Sequence, residues 1–493
     1  MHRFIVNKYI LSILFVLIFP FYGMTANFYL DSNADPGGDG TTDELAWDTI
    51  AEAEAGITGN QSDSFLYVKR GSDFTISEQW DIGAYGTAGH PFTIIAYGTG
   101  ALPKIHGSST YGIQISSKNY VTISDLEIYD FTERGIFIWV SAGTIVENCE
   151  IHDIGTGVEG NRSGIMVSCS SDSIIRHNII YGCAYMGIWV TTSSDAAVSD
   201  NNIIEYNEVY NNQHCQIDIH ATGANTTNTI IRYNLAYQTA GYTNSDIGNG
   251  IFFRGGQSSD SIRIVGAQVY GNIINNFSMS SGVASGDAIY VYNRSDNVYI
   301  YNNTIYGIKA YNVNAEGIAI GTESITGIKI KNNICMDVGT CLNIGDSSVI
   351  SEIDNNLWYQ PDGGTVPYTK VDGTSYHYDD FVAYKSATGW DTNGLWEDPV
   401  FTTNGSDFTL QVTSPAIGAG DGTLGSPYNL VLNPNSTWPD SVTTLDQDDY
   451  GGWEIGAYVY IEAGPPGGPG TIVGGGSGTI AGGGTGTIEG TEP

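Results

Sequence analysis

The 493 residues carry 18 Lys and Arg against 53 Asp and Glu, a formal net charge of −35. A chain this acidic repels a phosphate backbone, which excludes nucleic acid as an expected partner. Six cysteines (Cys149, Cys169, Cys183, Cys215, Cys335, Cys341) show no Cys-x-x-Cys spacing, and no zinc set can be assembled from them with nearby histidines.

In chain order, residues 1–26 read as a secretory signal peptide: Arg3 and Lys8, an apolar run from Tyr9 to about Met24, then Thr25 and Ala26 before a polar stretch. The mature protein is therefore expected outside the cell, secreted or at the cell surface. No later segment is apolar for long enough to span a bilayer. Residues 27–110 are expected to form an N-terminal cap and the first coils, 111–360 the central repeats, and 361–462 a region closing the repeat stack. Residues 463–493, rich in Gly, cannot bury a core and are expected to form a flexible tail. A monomer is expected.

The repeats carry the fold. Nine segments, from ISDLEIYD (123–130) and VENCEIHD (146–153) to IDNNLWYQ (353–360), recur at about 23 to 38 residues. Aligned, they place Asn178, Asn207, Asn234, Asn272, Asn303, Asn333 and Asn356 in one column, headed by Leu126 and Cys149. Two residues on stands an apolar column of Ile128, Ile151, Ile180, Val209, Ala236, Ile274, Ile305, Cys335 and Trp358. Stacked asparagines are tolerated inside a protein only if each amide bonds the next rung, so this column predicts a ladder. The column after it, Tyr129, His152, Tyr181, Tyr210, Tyr237, Tyr306 and Tyr359, reads as a second stack. Glu147, Arg176, Glu205 and Arg232 alternate in sign on neighbouring rungs and predict cross-strand ion pairs. The cysteines read as buried thiols filling repeat positions, with Cys335 and Cys341 best placed for a disulfide if one forms.

A second recurring segment runs GIQIS (112–116), GIFIW (135–139), GIMVS (164–168), GIWVT (187–191), QIDIH (216–220), GIFFR (250–254), AIYVY (288–292), GIAIG (317–321) and CLNIG (341–345). Its alternation is that of a strand with the second and fourth residues inside. Short extended segments separated by Gly, Asn and Asp turns, without hairpin symmetry, favour an all-β, right-handed parallel β-helix over a β-propeller, whose blades need longer and more even repeats.

The opening FYLDSNADPGGDGTTDELAWDTIAEA (28–53), with LYVKRGSDF (66–74) and GTAGHPFTIIAYGTGALPKIHG (86–107), resembles the start of secreted bacterial β-helix proteins of the pectate-lyase-like superfamily. The closing GLWEDPVF (394–401), DFTLQVTSPAIGAGDG (407–422) and WEIGAYVY (453–460) resembles their end. The resemblance implies a protein that binds or cleaves polysaccharide. It carries over no catalytic residue, because the chain lacks the Arg-x-Pro-x-x-Arg, Gly-His-Gly and Asp-Pro-His motifs of lyases, polygalacturonases and epimerases with this fold.

The alternation also names the outward residues. On it, His220, Arg254 and Tyr292 stack on three successive rungs with Asp218 beside His220, a set suited to proton transfer and carboxylate neutralisation. Trp139, Trp189, Phe252 and Tyr290 project around them as candidate platforms for sugar rings. The alternative is that insertions at 239–249 and 276–287 fold over these aromatics. Asn249, Asp287 and Glu316 precede the same strands on consecutive rungs as candidate oxygen ligands for calcium. Three functions follow, in this order: a lyase eliminating across a uronic-acid glycan, a glycoside hydrolase using Asp287 and Glu316 on a neutral polysaccharide, or a non-catalytic glycan-binding adhesin or rod.

Overall fold

The computed structural model describes residues 25–155, 160–193, 197–242, 248–256, 261–279, 286–310, 315–361, 369–377, 380–439 and 441–462. The expected signal peptide, up to residue 24, and the Gly-rich tail at 463–493 lie outside the described residues. Among those described, no helix is long and apolar enough to cross a membrane.

Three long sheets of 12, 11 and 12 strands stack along one axis, and each coil contributes one strand to each sheet in turn. Within the coils every neighbouring pair is parallel, as in Ile145–Glu147 on Ile174–Arg176, Glu150–His152 on Ile179–Tyr181, and Ser163–Ser168 on Met186–Thr191. Parallel pairing follows from the sequence because the aligned columns become the inward faces. The apolar column from Ile128 to Trp358 is buried throughout.

Between the first and second sheets the chain turns on two residues. The first adopts left-handed backbone (φ 53° at His177, 56° at Tyr206, 54° at Tyr233, 52° at Asn302, 56° at Asn332, 54° at Asn355). The second is the ladder asparagine. Asn234 shows the repeating pattern. Its Oδ1 accepts from the backbone N–H of Asn207 and from Asn207 Nδ2, both at 3.0 Å, while its own Nδ2 donates to Asn272 Oδ1 at 3.0 Å and to the Ile204 carbonyl at 2.9 Å. The ladder runs unbroken from Asn178 to Asn356. Asn234→Leu should therefore destabilise by about 1–3 kcal/mol, read from the denaturant midpoint, because the amides on both sides lose a buried partner.

The lower end of the ladder falls on a residue the repeats did not mark. Asp391, fully buried, accepts from Asn356 Nδ2 at 2.9 Å through one oxygen, and from Trp358 Nε1 at 2.8 Å and the Tyr384 hydroxyl at 3.0 Å through the other. The helix Phe381–Thr388 brings Tyr384 there and closes this end. At the opposite end the helix Ile50–Gly56 begins in a capping box: the Thr49 hydroxyl accepts from Glu52 N–H and the Glu52 carboxylate accepts from Asp48 N–H. It buries Ile50 and Ala53 against the first coil.

The second aromatic column stacks as rings His106, Tyr129, His152, Tyr181, Tyr210 and Tyr237, with centroids 4.7 to 4.9 Å apart. Asn275 then interrupts it, and Met336 separates Tyr306 from Tyr359. The expected ion pairs form, Arg176 with Glu147 at 2.6 Å and Arg232 with Glu205 at 2.6 Å. All six cysteines are buried free thiols, including Cys335 and Cys341, so the disulfide considered for that pair is not made.

From Leu395 to Tyr460 the chain does more than close the stack. It runs back along the outside, burying Phe401, Phe408, Leu410, Leu432, Ile455 and Ala457 against Tyr233, Tyr270, Ile273, Tyr301, Ile334 and Leu357. The left-handed turn residues hold this strap. Tyr233 donates through its hydroxyl to the Leu430 carbonyl at 2.9 Å, Asn302 to the Tyr428 carbonyl at 2.9 Å and Asn355 to the Ala419 carbonyl at 3.0 Å. Asn332 accepts from Asp421 N–H at 2.8 Å.

Candidate functional site

The third sheet presents the outward face that the repeats singled out. Its register pairs Trp189 with Asp218, Asp218 with Phe252 and Phe252 with Tyr290, and beside them Thr191 with His220 and His220 with Arg254. Both columns stand as expected up to Arg254. There a bulge between Phe253 and Arg254 shifts the register, and Arg254 pairs with Asn293 instead of Tyr292. Tyr292 therefore leaves the His220 and Arg254 column. It lies exposed, its ring 5.6 Å from Tyr290 and 6.2 Å from Phe252. The extra residue is Tyr292 itself, since Phe253 pairs with Val291 and Arg254 with Asn293, and the unbroken alternation of AIYVY gives no sign of the bulge.

Asp218 is paired with Arg254 and not with His220. Its two oxygens accept from Arg254 Nε at 3.2 Å and from Arg254 Nη2 in a bidentate ion pair, with the carboxylate fully buried and the guanidinium nearly so. Burial opposes the Arg254 charge, and Asp218 more than offsets that, leaving its pKa raised. The cation proposed to neutralise a uronate is thus already neutralised. The signal was available, since opposite charges stood diagonally on adjacent rungs.

His220 lies between Thr191 and Arg254, 6.5 Å from the Trp189 ring, with its Nδ1 buried and lacking a hydrogen-bond partner among the described residues. Burial first, and then the positive Arg254, push its pKa down to about 4, so its imidazole is neutral at ordinary pH. Because the unfolded chain binds this proton with a pKa near 6.5, stability contributed by the neutral ring is present above pH 6.5 and is lost as pH falls toward 4. In His220→Phe, thermal unfolding between pH 6.5 and 4 should accordingly show a smaller fall in midpoint than in the parent.

The aromatic residues are less open than expected. Trp189 and Phe252 are 7% and 6% exposed and join Met166, Met186 and Cys215 in a small apolar cluster on the outer face, with Phe137, Tyr185 and Tyr290 packed against it. Neighbouring rungs and turns supply this packing, and residues 243–247 and 280–285 of the insertions expected to cover them lie outside the described residues. Trp139 and Tyr290 remain half-buried. Behind Phe252, His214 stacks on Tyr185 at 4.3 Å, a contact the repeats had not indicated because both residues fall in the turn before the strand. Cavities of about 400, 420 and 480 Å³ lie elsewhere, at Asp48 to Gln79, between Tyr237 and Trp438, and between Gln238 and Asp337.

At the entry to the same strands, Asn249, Asp287 and Glu316 occupy consecutive rungs as expected. All three are buried. Asn249 Oδ1 accepts from Asp287 N–H at 2.9 Å, and Asn343 Nδ2 donates to Glu316 Oε1 at 2.6 Å. Among the described residues Asp287 Oδ1 has no hydrogen-bond partner. Burial and the neighbouring Glu316 raise the Asp287 pKa well above the usual carboxylate range, and burial raises that of Glu316. These two carboxyls and one amide, with Asn249 Oδ1 and Glu316 Oε1 already engaged, supply fewer than the six to eight oxygens that calcium takes. Among the described residues no group of three or more His, Cys, Asp or Glu stands ready to hold a metal ion.

The family described as "right handed beta helix region" matches residues 57–228. No curated protein matches the chain in sequence. Among solved structures, the lacto-N-biosidase of glycoside hydrolase family 136 from Eubacterium ramulus superposes with a TM-score of 0.52 at 14% identity, over 76% of this chain and 67% of that one. The pectate lyase Pel9A superposes with a TM-score of 0.52 at 13% identity, over 89% of this chain and 97% of that one. With its three parallel sheets and unbroken asparagine ladder, the chain folds as a right-handed parallel β-helix, similar in fold to the pectate lyase Pel9A.

Proposed function

We propose that the protein is an extracellular glycoside hydrolase that cleaves a polysaccharide with Asp287 and Glu316. The observation that carries this reading is the buried carboxyl pair on adjacent rungs with both pKa values raised. Two carboxyls held so close in a low dielectric cannot both ionise easily, so the pair holds its last proton more tightly than a free carboxyl does. Asp287, raised furthest and with Oδ1 free, is the general acid that protonates the leaving oxygen. Glu316, whose carboxylate form is favoured by the Asn343 amide, is the nucleophile. Neighbouring strands stand about 4.8 Å apart. That spacing approaches the carboxyl separation of retaining enzymes, about 5–5.5 Å, and is too small for the water of an inverting one. Both solved structures above are of glycan-active enzymes, a glycoside hydrolase and a lyase.

The order of the two enzymatic readings changes for a physical reason. Elimination across a uronate needs a cation free to meet its carboxylate, and Arg254 is spent on Asp218. The lyase reading keeps one favourable observation, the neutral His220 with an unpartnered Nδ1 that could accept a proton. The deciding experiment incubates the protein with neutral and anionic polysaccharides and follows reducing ends together with ultraviolet absorbance of an unsaturated uronate. Reducing ends without absorbance, and retained anomeric configuration by proton NMR, are expected. Rising absorbance would establish the lyase in its place, and binding without either signal would establish an adhesin.

A further inference from the structure

The outward face of four successive strands, Met186–Thr191, Cys215–His220, Asn249–Arg254 and Gly286–Asn293, holds four buried polar atoms without a hydrogen-bond partner among the described residues. They are Trp189 Nε1, His220 Nδ1, Asn249 Nδ2 and Asp287 Oδ1, one on each strand. Folded proteins pair nearly all such atoms, because each unpaired one loses its hydration and receives nothing in return. Four on one face, spread over three rung spacings or about 14 Å, form a donor and acceptor set that the described residues leave unpaired.

The chemistry of that set is specific. Trp189 and Asn249 offer N–H donors, Asp287 an oxygen, and His220 a ring nitrogen. Apolar ring surface from Phe252 and half-buried Tyr290, stacked at 5.2 Å, lies among them. Hydroxyls, which donate and accept, satisfy all four atoms, and the carbon-bearing face of a sugar ring suits the aromatics. A carboxylate is poorly served: Arg254 is committed to Asp218, and Asp287 and Glu316 stand at the end of the same face. The neutral state of His220 removes the other cation that could have met an anion.

We propose that this face is a subsite for an uncharged segment of the glycan, with Trp189, His220 and Asn249 as specificity-determining residues. The proposal rests on the hydrolase reading only in sharing Asp287 with it.

The test titrates the Glu316→Gln variant calorimetrically with a neutral hexasaccharide of hexose and N-acetylhexosamine units and with hexagalacturonate. The neutral probe is expected to bind at least ~100-fold tighter. Adding Trp189→Phe or His220→Phe should each weaken that binding by about tenfold or more. His220→Phe should do so without lowering the thermal midpoint at pH 7, since a phenyl ring removes an unpaired nitrogen from a buried place. A residue that served only the fold would show the reverse, a lower midpoint and unchanged affinity. Equal or tighter binding of hexagalacturonate, binding of neither probe, or unchanged affinity in both folded variants overturns the subsite. The hydrolase reading fails separately: if Glu316→Gln still releases reducing ends while the binding pattern holds, the acid pair is wrong and the subsite stands.

Discussion

Asp287→Asn and Glu316→Gln are each expected to lower the release of reducing ends from the polysaccharide by at least ~10³-fold. General acid catalysis alone is worth about 10²–10⁴-fold, and loss of a nucleophile removes a covalent route altogether. The two variants should differ in a telling way. With an activated leaving group that needs no protonation, Asp287→Asn should regain much of the rate of the first step, whereas Glu316→Gln should not. Each substitution replaces a carboxyl of raised pKa by an amide of equal size, so neither should destabilise the fold, and thermal midpoints at pH 7 should be equal to or above the parent's. The sign follows from the raised folded values: the carboxyls favour the folded state at low pH, and that contribution is lost as pH rises through their folded pKa. Near-parental turnover by both variants would remove this pair from catalysis and return attention to His220.

Arg254→Met should destabilise the protein by about 3–5 kcal/mol, the cost of leaving a fully buried Asp218 without its ion-pair partner. Adding Asp218→Leu should recover most of the loss, since an apolar pair of similar volume takes up neither penalty. The four-cornered comparison, by urea denaturation, separates a structural ion pair from a catalytic arginine: if Arg254→Met stays folded and loses only activity, the guanidinium belongs to the chemistry after all.

These two predictions differ in how far the sequence alone supported them. The columns of Asn178 to Asn356 and of Ile128 to Trp358 were legible because each coil repeats the same inward residues, and a parallel stack turns sequence repetition directly into spatial adjacency. The same adjacency placed Asn249, Asp287 and Glu316 on consecutive rungs. What escaped was whatever breaks the repeat. Opposite Phe253 and Arg254 the next strand carries one extra residue, Tyr292, and the alternation of AIYVY hides it, so Tyr292 was placed in a column it does not join. Asp391 closes the ladder from outside the repeats, in a stretch that shares no column with them. The burial of Trp189 and Phe252 depends on neighbouring rungs and turns, since alternation tells which way a side chain points and says nothing of what lies above it.

The strap from Leu395 to Tyr460 changes how such a molecule comes apart. A stack in which each coil touches only its neighbours behaves as a one-dimensional chain, able to fray from either end one unit at a time. Here a single segment bonds to the turns at Tyr233, Asn302, Asn332 and Asn355, tying together coils far apart in the series. Coils within that reach cannot peel away singly while the segment stays seated. Pulled from its C-terminal end in an optical trap, the protein should resist until the segment releases in one large event, and only then unravel in the small, regular steps of an unsupported solenoid.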